Sequence, residues 1–272
     1  MELSIAGFSQ IQIVPEIRSI AVLAQFKNSS GSGFYLRDTL DNIYFVTAYH
    51  VLFDLKTNSL FDDSLTLISY RSDVENDAKN ILKVSLIEAN RTGNIKCDLK
   101  NDIAVIKVAT THLLDTLGHG SIVYSKYAVK MTRSSMVNYW ITNEILKFSE
   151  ITAGSDIYII GYPQSLGLQG SFDLDRPLFR KGIVAGKDIR YQRIIGDGAV
   201  YFGNSGGAVL EVFIDQSGEP KAKLIGIVSQ YIPFNDLLLD VRGNVRSVDT
   251  KNSGYSVITP GEKILELLLQ WK

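Results

Sequence analysis

Apolar residues in this chain come in short runs, many alternating with polar ones, and the runs are broken by clusters of Gly, Asn, Asp and Ser. Such spacing predicts β-strands joined by tight turns rather than long amphipathic helices. Strands are expected at residues 19–26, 33–38, 43–48, 64–71, 81–89 and 103–109, and a second set at 156–162, 179–187, 193–202, 208–215, 221–231 and 254–258. One helix is expected after Thr259-Pro260-Gly261, with the proline near its first position and Ile264, Leu267, Leu268 and Trp271 along one face. That face reads as packing, with docking of a partner as its alternative. Residues 110–150 separate the two strand sets and are longer than a bare connection needs. Stretches of that length are functional, structured in themselves or mobile.

Composition narrows the class. The chain has 272 residues, 45% of them hydrophobic, and a mean hydropathy of +0.07, enough for a substantial core in one large or two small domains. Its net charge of −1 provides no basic footprint for nucleic acid. No run reaches the roughly 18 apolar residues of a membrane helix, and the N-terminal residues lack a basic leader region, so neither membrane partner nor signal peptide is expected. The single Cys97 rules out an intrachain disulfide and points to a cytoplasmic protein. Cys97 itself is expected as a small hydrophobe on a strand.

The richest chemistry lies in Gly203-Asn204-Ser205-Gly206-Gly207, at a bend between two apolar strands. A serine held between glycines can expose its hydroxyl, and the N–H groups of Gly203 and Ser205 can receive the charge of a tetrahedral oxyanion. The same letters fit G-x-S-x-G, the nucleophile elbow of α/β-hydrolases, in which the histidine follows the serine. All three histidines here, His50, His112 and His119, precede Ser205, so that order is excluded. The orders His, Asp, Ser and Asp, His, Ser remain. His50 closes the β-prone run NIYFVTAYH, and Asp102 opens the run NDIAVIKV, which favours the first order. Asp98 is a rival acid lying before the loop. His112, Asp115 and His119 are spaced for one helix face, but Gly118 and Gly120 disrupt a helix and no fourth ligand is evident, so no metal or other cofactor is expected.

On GSGFYL, VTAYHVL, NDIAVIKV, YIIGYP, FRKGIV and GNSGGAVL, over residues 18 to 260, the chain resembles the trypsin-like serine peptidases, in particular the disulfide-free bacterial branch with the HtrA-type proteases. The resemblance implies an all-β fold of two six-stranded antiparallel Greek-key barrels with a C-terminal helix. The expected division is an N-terminal extension 1–17, a first barrel 18–115, a linker 116–150, a second barrel 151–260 and a helix 261–272. It further implies His50 as general base, Asp102 as its orienting acid and Ser205 as nucleophile, with the Gly203 and Ser205 N–H groups as oxyanion hole. By the family pattern the primary pocket has its floor at Ala199 and its walls at Ser229, Gln230, Tyr231 and Gly254, so an apolar residue rather than Arg or Lys is expected beside the scissile bond. Asp197, close by in sequence, is the residue that could upset this.

Further departures from secreted relatives carry content. Where zymogen-activated enzymes have an aspartate before the nucleophile, this chain has Asn204, which cannot pair with a freed N-terminal ammonium. Activation without N-terminal trimming is therefore expected. The residues after Ser205 suffice for the second barrel and a helix, so a PDZ module is not expected. The expected activity is that of a regulated serine endopeptidase with protein or peptide substrates, a narrow range, a possible regulatory protein partner and a stress or defence role. A chymotrypsin-fold scaffold that grips peptides without cutting them is the alternative.

Overall fold

The computed structural model describes residues 15–113, 120–132, 138–165 and 170–271. Its first half builds a ten-stranded sheet from β1 (Ala21–Gln25), β2 (Ser30–Arg37), β3 (Asn42–Thr47), β4 (Ser64–Ser69), β5 (Asn80–Ser85), β6 (Ile95–Asp98), β7 (Ile103–Leu113), β8 (Gly120–Tyr124), β9 (Ala128–Lys130) and β10 (Trp140–Ile141). The order is β6-β7-β3-β2-β1-β4-β5-β9, with β8 beside β7 and the short β10 parallel to β2. The second half closes a six-stranded antiparallel barrel from β11 (Asp156–Gly161), β12 (Leu178–Asp188), β13 (Arg193–Asp197), β14 (Ala208–Ile214), β15 (Pro220–Leu239) and β16 (Val245–Pro260).

The two-residue strand period explains why these segments read as nearly continuous apolar runs. On β2, Tyr35 points into the core of the first unit with Phe45, Leu67 and Val84. Its neighbours Phe34 and Leu36 point the other way, joining Tyr44 and Val105 against Ile160, Leu210 and Ile227 of the second unit. Both faces of the central strands are thus buried, and this shared apolar layer sets the two units side by side. The helix α3 (Glu262–Leu268) follows Gly261 and closes that layer with Ile264, Leu267 and Leu268, while Trp271 packs against Tyr44 with ring centroids 5.2 Å apart.

Several elements differ from expectation for identifiable reasons. The strand expected at 81–89 stops at Ser85, whose side chain accepts the Glu88 N–H and starts the one-and-a-half-turn helix α2 (Leu86–Arg91). Ser85-x-x-Glu88 is an N-terminal helix signal embedded in an apolar run. The strand expected at 193–202 ends at Asp197, where the Gly198 N–H turns to the Gly254 carbonyl and the chain leaves the ladder for the bend. The 116–150 stretch, expected as a linker, adds β8, β9 and β10 to the first sheet, which therefore exceeds six strands. Of His112, Asp115 and His119, the last two lie outside the described residues, and His112 sits in β7 paired with Ser121. Cys97 is on β6 as expected but exposed; partial shielding and the adjacent Asp98 raise its thiol pKa.

The strands expected at 221–231 and 254–258 are the inner ends of one long hairpin. It turns at Asp240, whose carboxylate accepts the N–H groups of Arg242 at 2.8 Å and Asn244 at 2.9 Å. The cross-strand pairs Leu237–Val248 and Leu239–Val245 share one face of its outer half, and all four side chains are more than half exposed.

Candidate active site

His50 arrives at the end of a strand fixed on both sides. β3 lies between β2 and β7, and the buried Thr47 hydroxyl donates to the Ser32 carbonyl at 2.7 Å. The chain then makes a single helical turn, α1 (Tyr49–Leu52), in which Tyr49 and Leu52 are buried and the imidazole between them stays 30% exposed. An apolar residue on each side of a polar one, over one turn, aims the polar side chain outward.

Asp102 is held by a loop that sequence proximity alone does not explain. Its rival Asp98 is occupied, accepting the Asn101 N–H at 3.0 Å and the Asn101 side-chain amide at 2.6 Å, as an Asx-type turn former. Asp102 itself has a left-handed backbone, φ 56°, a conformation that aspartate tolerates better than most residues and that turns its carboxylate back toward His50. The second unit braces this loop from outside. Arg193 donates to the Asn101 side-chain oxygen at 2.9 Å and to the Lys100 carbonyl at 2.7 Å, and the Thr259 hydroxyl donates to the Asn101 carbonyl at 2.8 Å.

The Asp102 carboxylate then meets three donors. His50 Nδ1 lies 2.9 Å from Oδ2 and 3.0 Å from Oδ1, the His50 backbone N–H donates to Oδ1 at 3.1 Å, and the Ser229 hydroxyl donates to Oδ2 at 2.6 Å. Since a carboxylate only accepts, this contact places a proton on Nδ1, and in the neutral ring that leaves the Nε2 lone pair free. The Nε2 atom is not hydrogen-bonded to Ser205 Oγ in this structure, although both residues line the same cleft. Such contacts are often loose without substrate and tighten in the reacting complex.

The Ser205 bend is a set of interlocked turns. The Asn204 side-chain oxygen accepts the Tyr201 N–H at 3.0 Å, while the Asn204 N–H donates to the Tyr201 carbonyl at 2.9 Å. The Ser205 carbonyl accepts the Ser32 N–H at 2.9 Å, and the Gly206 N–H donates to the Val228 carbonyl at 2.8 Å. Two glycines are obligatory. At Gly203, φ 99°, a Cβ would lie 2.2 Å from the Tyr162 carbonyl oxygen, and at Gly206, φ 81°, 2.3 Å from that of Ser32. Among the described residues, the N–H groups of Gly203 and Ser205 have no acceptor. Two unclaimed donors beside a half-buried serine that lines the cleft can receive an anionic oxygen.

The cleft beside these groups is lined by Leu99, Lys100, Arg193, Val200, Tyr201, Phe202, Val228, Ser229, Gln230 and Tyr231 as well as His50, Asp102 and Ser205. Phe202, 73% exposed, meets Tyr231 edge to face at 6.1 Å and forms the rim. Of the five residues expected for the pocket, Ser229, Gln230 and Tyr231 are in this lining; Ala199 and Gly254 are not, and the Gly254 carbonyl accepts the Gly198 N–H at 3.0 Å. Asp197 lies on β13 with its side chain exposed, outside this lining. Sequence reasoning gave Ser229 only a wall position and missed Ser32, Asn101, Arg193 and Thr259. Asn101 belongs to the local Asp98 turn, but nothing local marks Ser32, Arg193 and Thr259, since each acts on a segment far away in sequence.

A family model described as the trypsin-like peptidase domain matches residues 31–218. A search of curated proteins found no match to the sequence. Among solved structures, the chain is similar to the HtrA-type protease AlgW with tripeptide, at 17% identity and a TM-score of 0.44, covering 93% of this chain and 60% of that one. It is similar to a Glu endopeptidase in complex with MPD, at 15% identity and a TM-score of 0.48, covering 94% and 91%. A third is the inactive form of Rv3671c from M. tuberculosis, at 12% identity and a TM-score of 0.44, covering 93% and 86%.

Proposed function

Because the chain belongs to the family of trypsin-like peptidase domains, we propose that it hydrolyses peptide bonds through His50, Asp102 and Ser205. The observation that carries this reading is the Asp102 carboxylate, which accepts from Ser229 at 2.6 Å and faces His50 Nδ1 at 2.9 Å, so that the imidazole offers its other nitrogen to the cleft shared with Ser205. In the proposed reaction, His50 Nε2 takes the Ser205 proton as Oγ attacks the substrate carbonyl carbon. The oxygen gains negative charge and is received by the Gly203 and Ser205 N–H groups. Collapse of the intermediate expels the amine, which takes the proton from His50, and leaves an acyl-Ser205 ester. Water, deprotonated by His50, repeats the sequence and frees the acid. Asp102 stays ionised and stabilises the imidazolium formed at each step.

The substrate is a protein or peptide. The cleft presents Val200, Tyr201, Phe202 and Tyr231 together with the cations Lys100 and Arg193, which supports an apolar residue beside the scissile bond and disfavours Arg or Lys there. A peptide library dominated by Arg or Lys at that position would contradict this. The Asn204 side chain is committed to the Tyr201 N–H, which supports activity without N-terminal trimming. Comparing the full chain with a trimmed one checks it. The central test is labelling of Ser205 by a fluorophosphonate probe: the reading expects labelling of the wild type and its loss in His50→Ala. A wild type that never labels and cleaves no ester is instead the peptide-gripping scaffold.

A further inference from the structure

The GSG stretch that opens β2 belongs to the first unit, yet its serine is buried against the Ser205 bend of the second. Ser32 is 0% exposed, and its hydroxyl lies 2.5 Å from the Gly203 carbonyl oxygen and 2.8 Å from the Tyr162 nitrogen. The direction of both bonds is fixed by valence. The Tyr162 N–H can only donate, so Ser32 Oγ accepts there, and its one proton goes to Gly203. The partner peptide is held at its other end too, since the Asn204 N–H donates to Tyr201.

We propose that Ser32 is a positioning residue for the oxyanion hole, locking the Gly203–Asn204 peptide so that the adjacent Gly203 N–H keeps facing the cleft. Rotation of this bend would break the buried bond and leave the Gly203 carbonyl without a partner, a desolvation cost that opposes the rotated state. Gly161 makes room for the arrangement, because a Cβ there would lie 2.7 Å from Ser32 Oγ. The YIIGYP and GSGFYL motifs therefore meet at one hydroxyl. The assignment rests on the proposed peptidase reading, and it deepens it by placing the control of the hole in the opposite unit.

The test compares wild type with Ser32→Ala and Ser32→Cys using a small ester substrate, a peptidyl aldehyde that forms a tetrahedral adduct with Ser205, and a non-covalent product-like peptide. In Ser32→Ala, kcat should fall about tenfold or more, short of the roughly 10²- to 10³-fold seen when a donor is removed outright, with KM nearly unchanged. Aldehyde affinity should fall in parallel with kcat, while affinity for the product-like peptide holds. Ser32→Cys, a weaker donor of similar size, should be intermediate, and it decides the matter if the alanine variant does not fold. Wild-type kcat in either variant, or equal loss of affinity for aldehyde and product peptide, overturns the role of Ser32. A wild type inert toward ester and aldehyde overturns the peptidase reading instead.

Discussion

The loop 98–102 and the bend 201–207 both carry a group of the site, and each is braced by the unit it does not belong to as well as by its own. The Asp102 loop of the first unit is tied to Arg193, Ser229 and Thr259 of the second. The Ser205 bend of the second is tied to Ser32 of the first through three atoms: its N–H to the Ser205 carbonyl, its hydroxyl to the Gly203 carbonyl, and its carbonyl packed on Gly206. The braces differ in kind. The loop is held by four hydrogen bonds from Arg193, Ser229 and Thr259, of which that of Arg193 to the Lys100 carbonyl is exposed, so the loss of one leaves others, whereas both hydrogen bonds that the bend receives from the first unit come from the one fully buried Ser32. Tolerance of substitution among the bracing residues should therefore be graded, higher for those on the loop and lower for those on the bend.

The Asp102 carboxylate sets the top of the scale. Asp102→Asn should lower kcat on a peptide substrate by about 10⁴-fold, as spoiling the acid does in this arrangement, because the imidazole loses its fixed tautomer. Steady-state kinetics with folding checked by circular dichroism measures it. Gly206→Ala attacks the buried brace: its left-handed φ and the 2.3 Å approach to the Ser32 carbonyl leave a methyl nowhere to go. A loss of about 2–5 kcal/mol in denaturant unfolding is expected, and a loss below about 0.5 kcal/mol, typical of a surface change, would erase the contrast between the two segments.

Ser229→Ala removes one of three donors to Asp102 and should cost about tenfold in kcat with KM little changed. An unchanged kcat would show that the other two donors suffice. Arg193→Met leaves the loop its Thr259 bond and its internal Asp98 turn, so kcat/KM should fall by less than about threefold. A loss as large as that of Ser229→Ala would mean that the loop depends on that one guanidinium and is no better buffered than the bend.

Much of this was legible in the chain. Short apolar runs with turn punctuation indicate an all-β molecule, because a two-residue period with both faces buried leaves few polar positions inside a strand. The final helix showed in Ile264, Leu267, Leu268 and Trp271, whose spacing follows the turn of a helix. Other elements were hidden where one signal overlay another. The Ser85 cap lies inside an apolar run, and the outer hairpin pairs Leu237 and Val248 across a solvated ribbon whose other face carries Asp236 and Lys251. The strands β8, β9 and β10 are too short and mixed to stand out locally, and exist because a neighbouring strand offers an edge.

Residue types and their order are written in the chain: a histidine at a strand end, an aspartate at a strand start, a serine among glycines, no second cysteine and no aspartate at position 204. Those follow from chain chemistry, which is local. Tertiary structure alone decided who holds them, since Ser32, Arg193, Ser229 and Thr259 act across 171, 92, 127 and 158 positions of chain. A hydrogen bond reaches only about 3 Å, so its partner is chosen by the packing that closes that sequence gap, and no local pattern records the choice.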